Sequence, residues 1–380
     1  MKKITLKKHW LLVLFLFVFN LIVYSQPSGW THYQLFNVTE HSGALITNYQ
    51  LKLTVNTQVL ISGGQMDITG KDIRFGKTLS GATLFNYWIE SGINTANTII
   101  WVKIDSLPAN STRPLYWFYG NPSATAVSAV TGTFFGPNSA NDSVVVGSTN
   151  TVSTCQRGFR FTPTQDLLAT DFGKSTPNAT ARFVTLFNYT TTAKVAQVTT
   201  PTGTPGQYVY NPISRPIWLS KDSTYVLEVY NAGGDMYYYG TSSQIGQYLT
   251  YGDMRYCNSC DQNTFPTSSL SGYHYGIPDL LYWSKREVNP PPTYINVTSI
   301  KDYASNTSTV VYPNPTTGII NFILSQGVQV FVYNQLGEMI LYKEIKDGNQ
   351  NIDISNFSNG IYMMRLINGD KQDVVKITKM

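Results

Sequence analysis

The sequence predicts an all-β, multi-domain protein. Only 13% of residues are charged, while the chain carries 26 Tyr and 7 Trp. Aromatic and β-branched residues fit the pleated surface of a strand. Apolar residues recur in short alternating runs bounded by Gly, Pro, Asn or Ser, the pattern of antiparallel strands. Long stretches of Ala, Leu, Glu and Lys, which a helical protein would need, are absent. At 380 residues the chain has room for more than one domain.

The first element is an export signal. Met1-Lys2-Lys3 and Lys7-Lys8 precede an apolar run from Trp10 to Tyr24, broken only by Asn20 and closed by Ser25. A basic start, an apolar core and a small terminal residue make a signal peptide, expected over residues 1–25. The run is shorter than the roughly 20 apolar residues a membrane span needs. No later segment is apolar enough to span, so no transmembrane segment is expected after cleavage. Residues 1–25 hold four Lys and no acid, so the 27 basic residues fall to 23 against 22 acidic ones. A near-neutral chain gives no electrostatic case for nucleic acid.

Residues 27–135 form the first domain. Strand-like runs occupy Leu51–Val55, Asp72–Phe75, Phe85–Glu90, Thr98–Ile104 and Leu115–Tyr119. In the fourth, alternation places Ile100, Val102 and Ile104 on one face and Ile99, Trp101 and Lys103 on the other, as in a half-buried strand. The order Trp30…Tyr33, Asp72-Ile73-Arg74-Phe75, Tyr87-Trp88-Ile89-Glu90, Ile100–Ile104 and Tyr116-Trp117-Phe118-Tyr119-Gly120-Asn121-Pro122 resembles the DUF2341 family. That family is a concanavalin-like jelly-roll module of large bacterial and archaeal surface proteins, with no established activity. The resemblance implies a jelly roll, and its kinship with lectins implies glycan or surface binding.

Residues 140–285 form a second β-sandwich, with strands at Arg182–Asn188, Tyr208–Tyr210, Thr224–Tyr230 and Met236–Gly240. In Thr224–Tyr230 the residues Tyr225, Leu227 and Val229 face one way. Gly158-Phe159-Arg160-Phe161-Thr162-Pro163 together with Thr224–Tyr230 resembles β-sandwich repeats that neighbour sorting domains in Bacteroidetes proteins. Asn289-Pro290-Pro291-Pro292 opens a Pro/Ser/Thr-rich linker, residues 286–309, expected to be an extended spacer.

Residues 310–380 form a small Ig-like β-sandwich. Its strands lie at Val328–Tyr333, Met339–Ile345 and Ile361–Ile367, with turns at Asp347-Gly348 and Asn359-Gly360. Four motifs stand in order: Tyr312-Pro313-Asn314-Pro315, Leu336-Gly337, Asn359-Gly360-Ile361-Tyr362 and Lys376-Ile377. They resemble the type A C-terminal sorting domain of the type IX secretion system. The resemblance implies Sec-dependent export, recognition by an outer-membrane translocon, and removal of the domain by a sortase. The cargo is then linked to surface lipopolysaccharide or released. It also implies a Bacteroidetes-type source.

A search for chemistry finds no catalytic constellation. There is no His-Glu-x-x-His zinc helix and no Gly-x-Ser-x-Gly elbow. Gly70 to Gly76-Lys77-Thr78 is one residue too long for a phosphate loop and spans a strand. Glu90 sits among aromatics in the first domain, with Asp67, Asp72 and Asp105 as partners to consider for a glycosidase pair, against the alternative that it is a solvent-facing strand residue. Trp88, Trp101, Trp117 and Tyr119, with Glu90, form the candidate ligand-binding set, against the alternative that such rings pack in cores. Tyr237-Tyr238-Tyr239 is a second group of rings.

Three cysteines leave three readings of Cys257-x-x-Cys260: a local disulfide, a zinc site with Cys155 and His274, or a redox pair. Pairing of Cys155 with either one also stays open. No cofactor is implied beyond a structural zinc or calcium ion. Asp105-Ser106-Leu107, Asp142-Ser143-Val144 and Asp222-Ser223-Thr224 resemble the Bacteroidetes O-glycosylation acceptor. The reading as a whole is an exported, non-catalytic protein that binds glycan or mediates adhesion. An exported polysaccharide hydrolase acting through Glu90 and a purely structural surface protein are the alternatives.

Overall fold

The computed structural model describes residues 26–141, 147–151, 154–241, 245–297, 310–324, 327–335, 338–368 and 371–380. The expected signal peptide, the Asp142-Ser143-Val144 motif and the Leu336-Gly337 turn lie outside the described residues. Strands dominate as expected. The described helix, Thr57–Ser62, is a single short turn that the strand reading did not foresee. Asn56 starts it by accepting the Val59 N–H on its side chain at 3.2 Å, and Leu60 anchors it in the core. The chain divides into two compact units between Ile295 and Asn296.

The first unit contains two antiparallel sandwiches. In the first sandwich, one sheet has the order Thr293–Asn296, His32–Thr39, Thr112–Tyr119, Arg74–Gly76, Leu84–Phe85. The opposing sheet has the order Ile46–Val55, Thr98–Leu107, Tyr87–Ser91. Phe36, Leu53, Phe75, Val102, Leu115 and Trp117 meet between them. Ile100, Val102 and Ile104 point into this core, as the alternation requires.

The other face of Thr98–Leu107 corrects the sequence reading. Trp101 is only 7% exposed. Its ring lies 5.2 Å from that of Trp218 and 5.6 Å from that of Phe134, centroid to centroid. Trp88, Leu168 and Trp283 complete the cluster. The strand is covered on both sides because the second sandwich packs where solvent was expected.

The second sandwich joins a six-stranded sheet to a four-stranded one. The larger runs Lys194–Thr200, Arg182–Asn188, Tyr225–Asn231, Cys155–Pro163, Leu249–Asn258, Ser268–Leu270. The smaller runs Val209–Leu219, Leu167–Lys174, Pro278–Ser284, Phe135–Ser139. Tyr225, Leu227 and Val229 face the core with Phe159, Phe161 and Leu280. Between these strands a glycine is obligatory: a Cβ on Gly158 would stand 1.9 Å from the Leu227 carbonyl oxygen. Opposite Gly158 lies Glu228, buried on the outer face, and neither carboxylate oxygen has a hydrogen-bond partner among the described residues. Burial pushes its carboxyl well up from the usual range.

The expected linker is also corrected in its first half. Residues 286–296 return to the first sandwich instead of extending away. The Arg286 N–H donates to Gln50 Oε1 at 2.8 Å, and its guanidinium donates to Thr47 Oγ1 at 2.8 Å. Val288 and Tyr294 pack against the first core. Thr293–Asn296 then adds a strand beside His32–Thr39. Three prolines span the gap, where no ladder hydrogen bonds are needed.

The second unit is a sandwich of its own. Val310–Tyr312, Ile319–Leu324 and Gly348–Asp353 form one sheet. Met339–Ile345, Val328–Tyr333, Gly360–Asn368 and Lys371–Lys379 form the other. Ile320, Phe322, Val330, Met364 and Ile377 fill the space between.

The packing of Trp101 gives a direct test. Trp101→Ala should lower unfolding stability by about 3–5 kcal/mol, the usual loss for a buried Trp. Urea titration should show that loss. A change below about 1 kcal/mol would mean that the second face is not buried in solution.

Candidate functional site

The aromatic set expected to bind ligand is internal. Trp88 and Trp101 pack under the second sandwich. Trp117 is 1% exposed, with its ring 6.1 Å from those of both Phe36 and Phe75. Tyr119 is buried against Trp117. The Glu90 carboxylate accepts the Trp101 indole N–H at 2.6 Å. None of the four rings therefore presents an open face to a sugar. Trp117 and Tyr119 share the inward register of Leu115, while Trp88 and Trp101 lose their open side to a neighbouring domain.

The Tyr119-Gly120-Asn121-Pro122 motif acts as a clasp. The Gly120 N–H donates to the Asp72 carboxylate at 2.8 Å, and the same carboxylate accepts the Asp67 N–H. Gly120 has φ +84°, and a Cβ there would stand 2.5 Å from Thr31 Oγ1. Asn121 Oδ1 accepts the Ser123 N–H at 3.0 Å. Asp72 and the motif thus tie loops together, with the Asp72 carboxylate engaged by backbone N–H groups.

A polar cleft of about 510 Å³ opens where the two sandwiches meet. Asn48 lines it from the first sandwich, at a left-handed position (φ +52°) in the strand Ile46–Val55. Gln165 and Gln247 line it from the second, and Phe135 contributes a partly exposed ring. The side-chain amides of Asn48, Gln165 and Gln247 have no hydrogen-bond partner among the described residues. Tyr248, also in the lining, has φ +66°, a conformation that L residues with bulky side chains rarely adopt. Its carbonyl is fixed by the Thr164 N–H at 2.8 Å and by Thr164 Oγ1 at 3.2 Å. Lys285 pairs with Glu287 and lies 3.6 Å from Asp166 at the rim. No sequence motif marks this cleft, because its walls come from five separate stretches of chain.

The cysteines resolve into one bridge and one thiol. Cys257 and Cys260 form a disulfide with an S–S distance of 2.06 Å, which leaves no thiolate pair there for zinc. Cys155 is a buried free thiol, raised in pKa by burial. The disulfide closes the base of a segment that covers the outer face of the six-stranded sheet. Gln156 Nε2 donates to the Asp261 carbonyl at 2.8 Å, and Thr185 Oγ1 donates to that of Gln262 at 3.1 Å. His274 stacks on Phe159 at 5.3 Å, with the tilted Tyr251 ring at 4.5 Å, and neither ring nitrogen has a hydrogen-bond partner among the described residues. Burial pulls its pKa down from 6.5 to about 4.

In the second unit the motif residues gather around the last strand. The Asn314 side chain behaves like an extra peptide group. Its Nδ2 donates to the Lys376 carbonyl at 2.6 Å, and its Oδ1 accepts the Thr378 N–H at 2.9 Å. Pro313 and Pro315 hold it exposed on either side. Lys379 Nζ donates to Asn359 Oδ1 at 3.2 Å, and Gly360 stands opposite Lys379 in the ladder. The buried Tyr362 donates its hydroxyl to the Ser358 carbonyl at 2.6 Å. Asn359, Gly360, Ile361 and Tyr362 also line a hollow of about 420 Å³ with Asn334 and Gln335. Lys376 and Ile361 stay exposed.

Comparison with known families decides what this unit is. Residues 310–380 match the family model described as "Secretion system C-terminal sorting domain". These residues are a sorting domain. The chain is therefore cargo of the type IX secretion system, exported to the cell surface or beyond, and the secretion machinery is its partner in transit. Residues 69–145 match the model described as "Domain of unknown function (DUF2341)". That match starts later in the chain than the first sandwich does. No curated protein matches this chain. Among solved structures, a chain titled "Biofilm associated protein - BSP domain" is similar at 9% identity. It covers 94% of this chain and 82% of its own, and its TM-score of 0.16 is too low to show a common fold. No helix among the described residues is long and apolar enough to cross a membrane.

Two outcomes follow from this geometry. Deleting residues 310–380 should leave the protein in the periplasm, read by immunoblot of cell fractions and by loss of proteinase accessibility on intact cells. Normal surface delivery of the truncation would separate export from the sorting domain. The second outcome concerns acid stability. Below pH 6.5 the unfolded chain takes up a proton that buried His274 refuses, so stability falls as the pH drops towards about 4. At pH 4.5 this costs about 2–3 kcal/mol. His274→Phe should shed that part of the acid sensitivity in paired urea titrations at pH 7 and 4.5, and equal losses in both proteins would refute it.

Proposed function

We propose that the exported chain is a non-catalytic glycan-binding surface protein whose binding site is the cleft between its two sandwiches. The observation that carries this reading is the convergence of three unpartnered amides, Asn48, Gln165 and Gln247, with the Phe135 and Tyr248 rings. An amide offers a carbonyl acceptor and two N–H donors, which suits vicinal hydroxyls. Aromatic rings cover the apolar faces of a sugar. At about 510 Å³ the cleft falls in the range of small-ligand sites, roughly 300–1,000 Å³. The left-handed Tyr248 adds weight, since backbone strain concentrates at ligand clamps.

The same groups argue against hydrolysis. Glu287 in the cleft is neutralised by Lys285, and Glu90 is engaged by Trp101 outside the cleft. Neither is a free acid poised opposite a second carboxylate. Adhesion to a polysaccharide matrix or to another cell is the role such a site would serve on an exported protein.

A glycan array probed with the full chain is the test. At least one polysaccharide or cell-surface glycan should bind, and Gln165→Ala and Gln247→Ala should each weaken that binding by about tenfold, the equivalent of one lost hydrogen-bonding group. Absence of any glycan ligand would sink the proposal. So would binding that both variants leave intact.

A further inference from the structure

The first sandwich has a second opening, remote in sequence from the cleft residues of the second sandwich and different in chemistry. At the end of the sandwich where Thr112–Tyr119 begins, the two sheets enclose a cavity of about 320 Å³. Val38, Phe85, Ile104, Leu107, Pro114 and Leu115 form its apolar wall. Val38, Ile104, Leu107 and Leu115 are core residues, so the cavity continues the sandwich interior outwards.

Its mouth is charged. Along Thr112–Tyr119 the inward positions are Tyr119, Trp117, Leu115 and then Arg113, which stands opposite inward-facing Val38. A guanidinium therefore occupies the last place in a row of core side chains. No carboxylate pairs with it among the described residues. Across the mouth, Lys77 Nζ lies 2.8 Å from Asp105 Oδ2. Two cations thus face one carboxylate, and the mouth keeps one unneutralised positive charge. A sugar does not suit this site, because apolar walls cannot satisfy buried hydroxyls.

We propose that this cavity binds a single amphipathic anion, an aliphatic carboxylate whose chain fills the sandwich end and whose head group rests on Arg113. Arg matches carboxylate with two parallel N–H donors. Lys77, already shared with Asp105, supplies the field rather than the fork. The apolar wall reads chain length, and the guanidinium reads charge.

Isothermal titration of the full chain with sodium octanoate, decanoate and dodecanoate, all below their micelle concentrations, tests this. Saturable one-to-one binding should tighten about fourfold per methylene until the cavity is full, the equivalent of about 0.8 kcal/mol each. Arg113→Gln should weaken decanoate about tenfold and leave decanol unchanged. That side chain is exposed, so the variant should melt at the wild-type temperature. Ser106→Trp, which starts from the half-buried rim, should abolish binding of both. Four results would overturn the proposal: no saturable binding, no dependence on chain length, equal affinity for decanol and decanoate, or unaltered binding by either variant.

Discussion

Burial of the outer face of the strand Thr98–Leu107 is the constraint on which the first unit depends. That strand carries Ile100, Val102 and Ile104 inward and Trp101 outward. An exposed Trp beside Trp88 would make a sticky apolar patch. The second sandwich removes it by bringing Trp218, Leu168 and Trp283 against it, with Phe134 from the connecting segment. The two sandwiches are therefore joined by a shared core and not merely by sequence.

Polar groups fix the geometry of that junction. Gln50 is buried, and its amide is fully used. Its Nε2 donates to the carbonyls of Thr133, at 2.9 Å, and Asn48, at 3.1 Å. Its Oε1 accepts the Arg286 N–H. One side chain thus holds both the segment that leaves the first sandwich and the segment that returns to it. The cleft forms beside this clamp, so its walls are set by the same contacts that hold the sandwiches together. Sites at domain junctions are common for this reason: two rigid bodies create a concave surface that neither has alone.

Much of the architecture was legible in the sequence. The alternation in Thr224–Tyr230 pointed to the correct inward face, and the ordered motifs from Tyr312 to Ile377 located the sorting domain. What failed was inference about second faces. Period-two alternation says that Trp101 and Ile100 point oppositely, but not whether both sides are covered. The prolines after Asn289 read as a spacer because composition cannot reveal that Tyr294 has a core to reach. The cleft had no signature at all. Asn48, Phe135, Gln165 and Gln247 are ordinary polar and aromatic residues until folding brings them together, and a left-handed Tyr is not encoded by any short-range preference. The cavity at Arg113 was closer to legible, since an Arg at an inward position two residues before Leu115 breaks the pattern of its strand.

The return of the chain to its starting sheet has a mechanical meaning. The chain enters the first unit near His32–Thr39 and leaves it through Thr293–Asn296, and these are neighbouring strands. Tension applied through the two ends of this unit therefore crosses one strand pair and bypasses the second sandwich altogether. The second sandwich hangs as a side loop on the load path, free of strain while the first sheet holds. On an exported protein held at one end, that arrangement would keep the cleft-bearing domain folded under pull until the edge strand gives way.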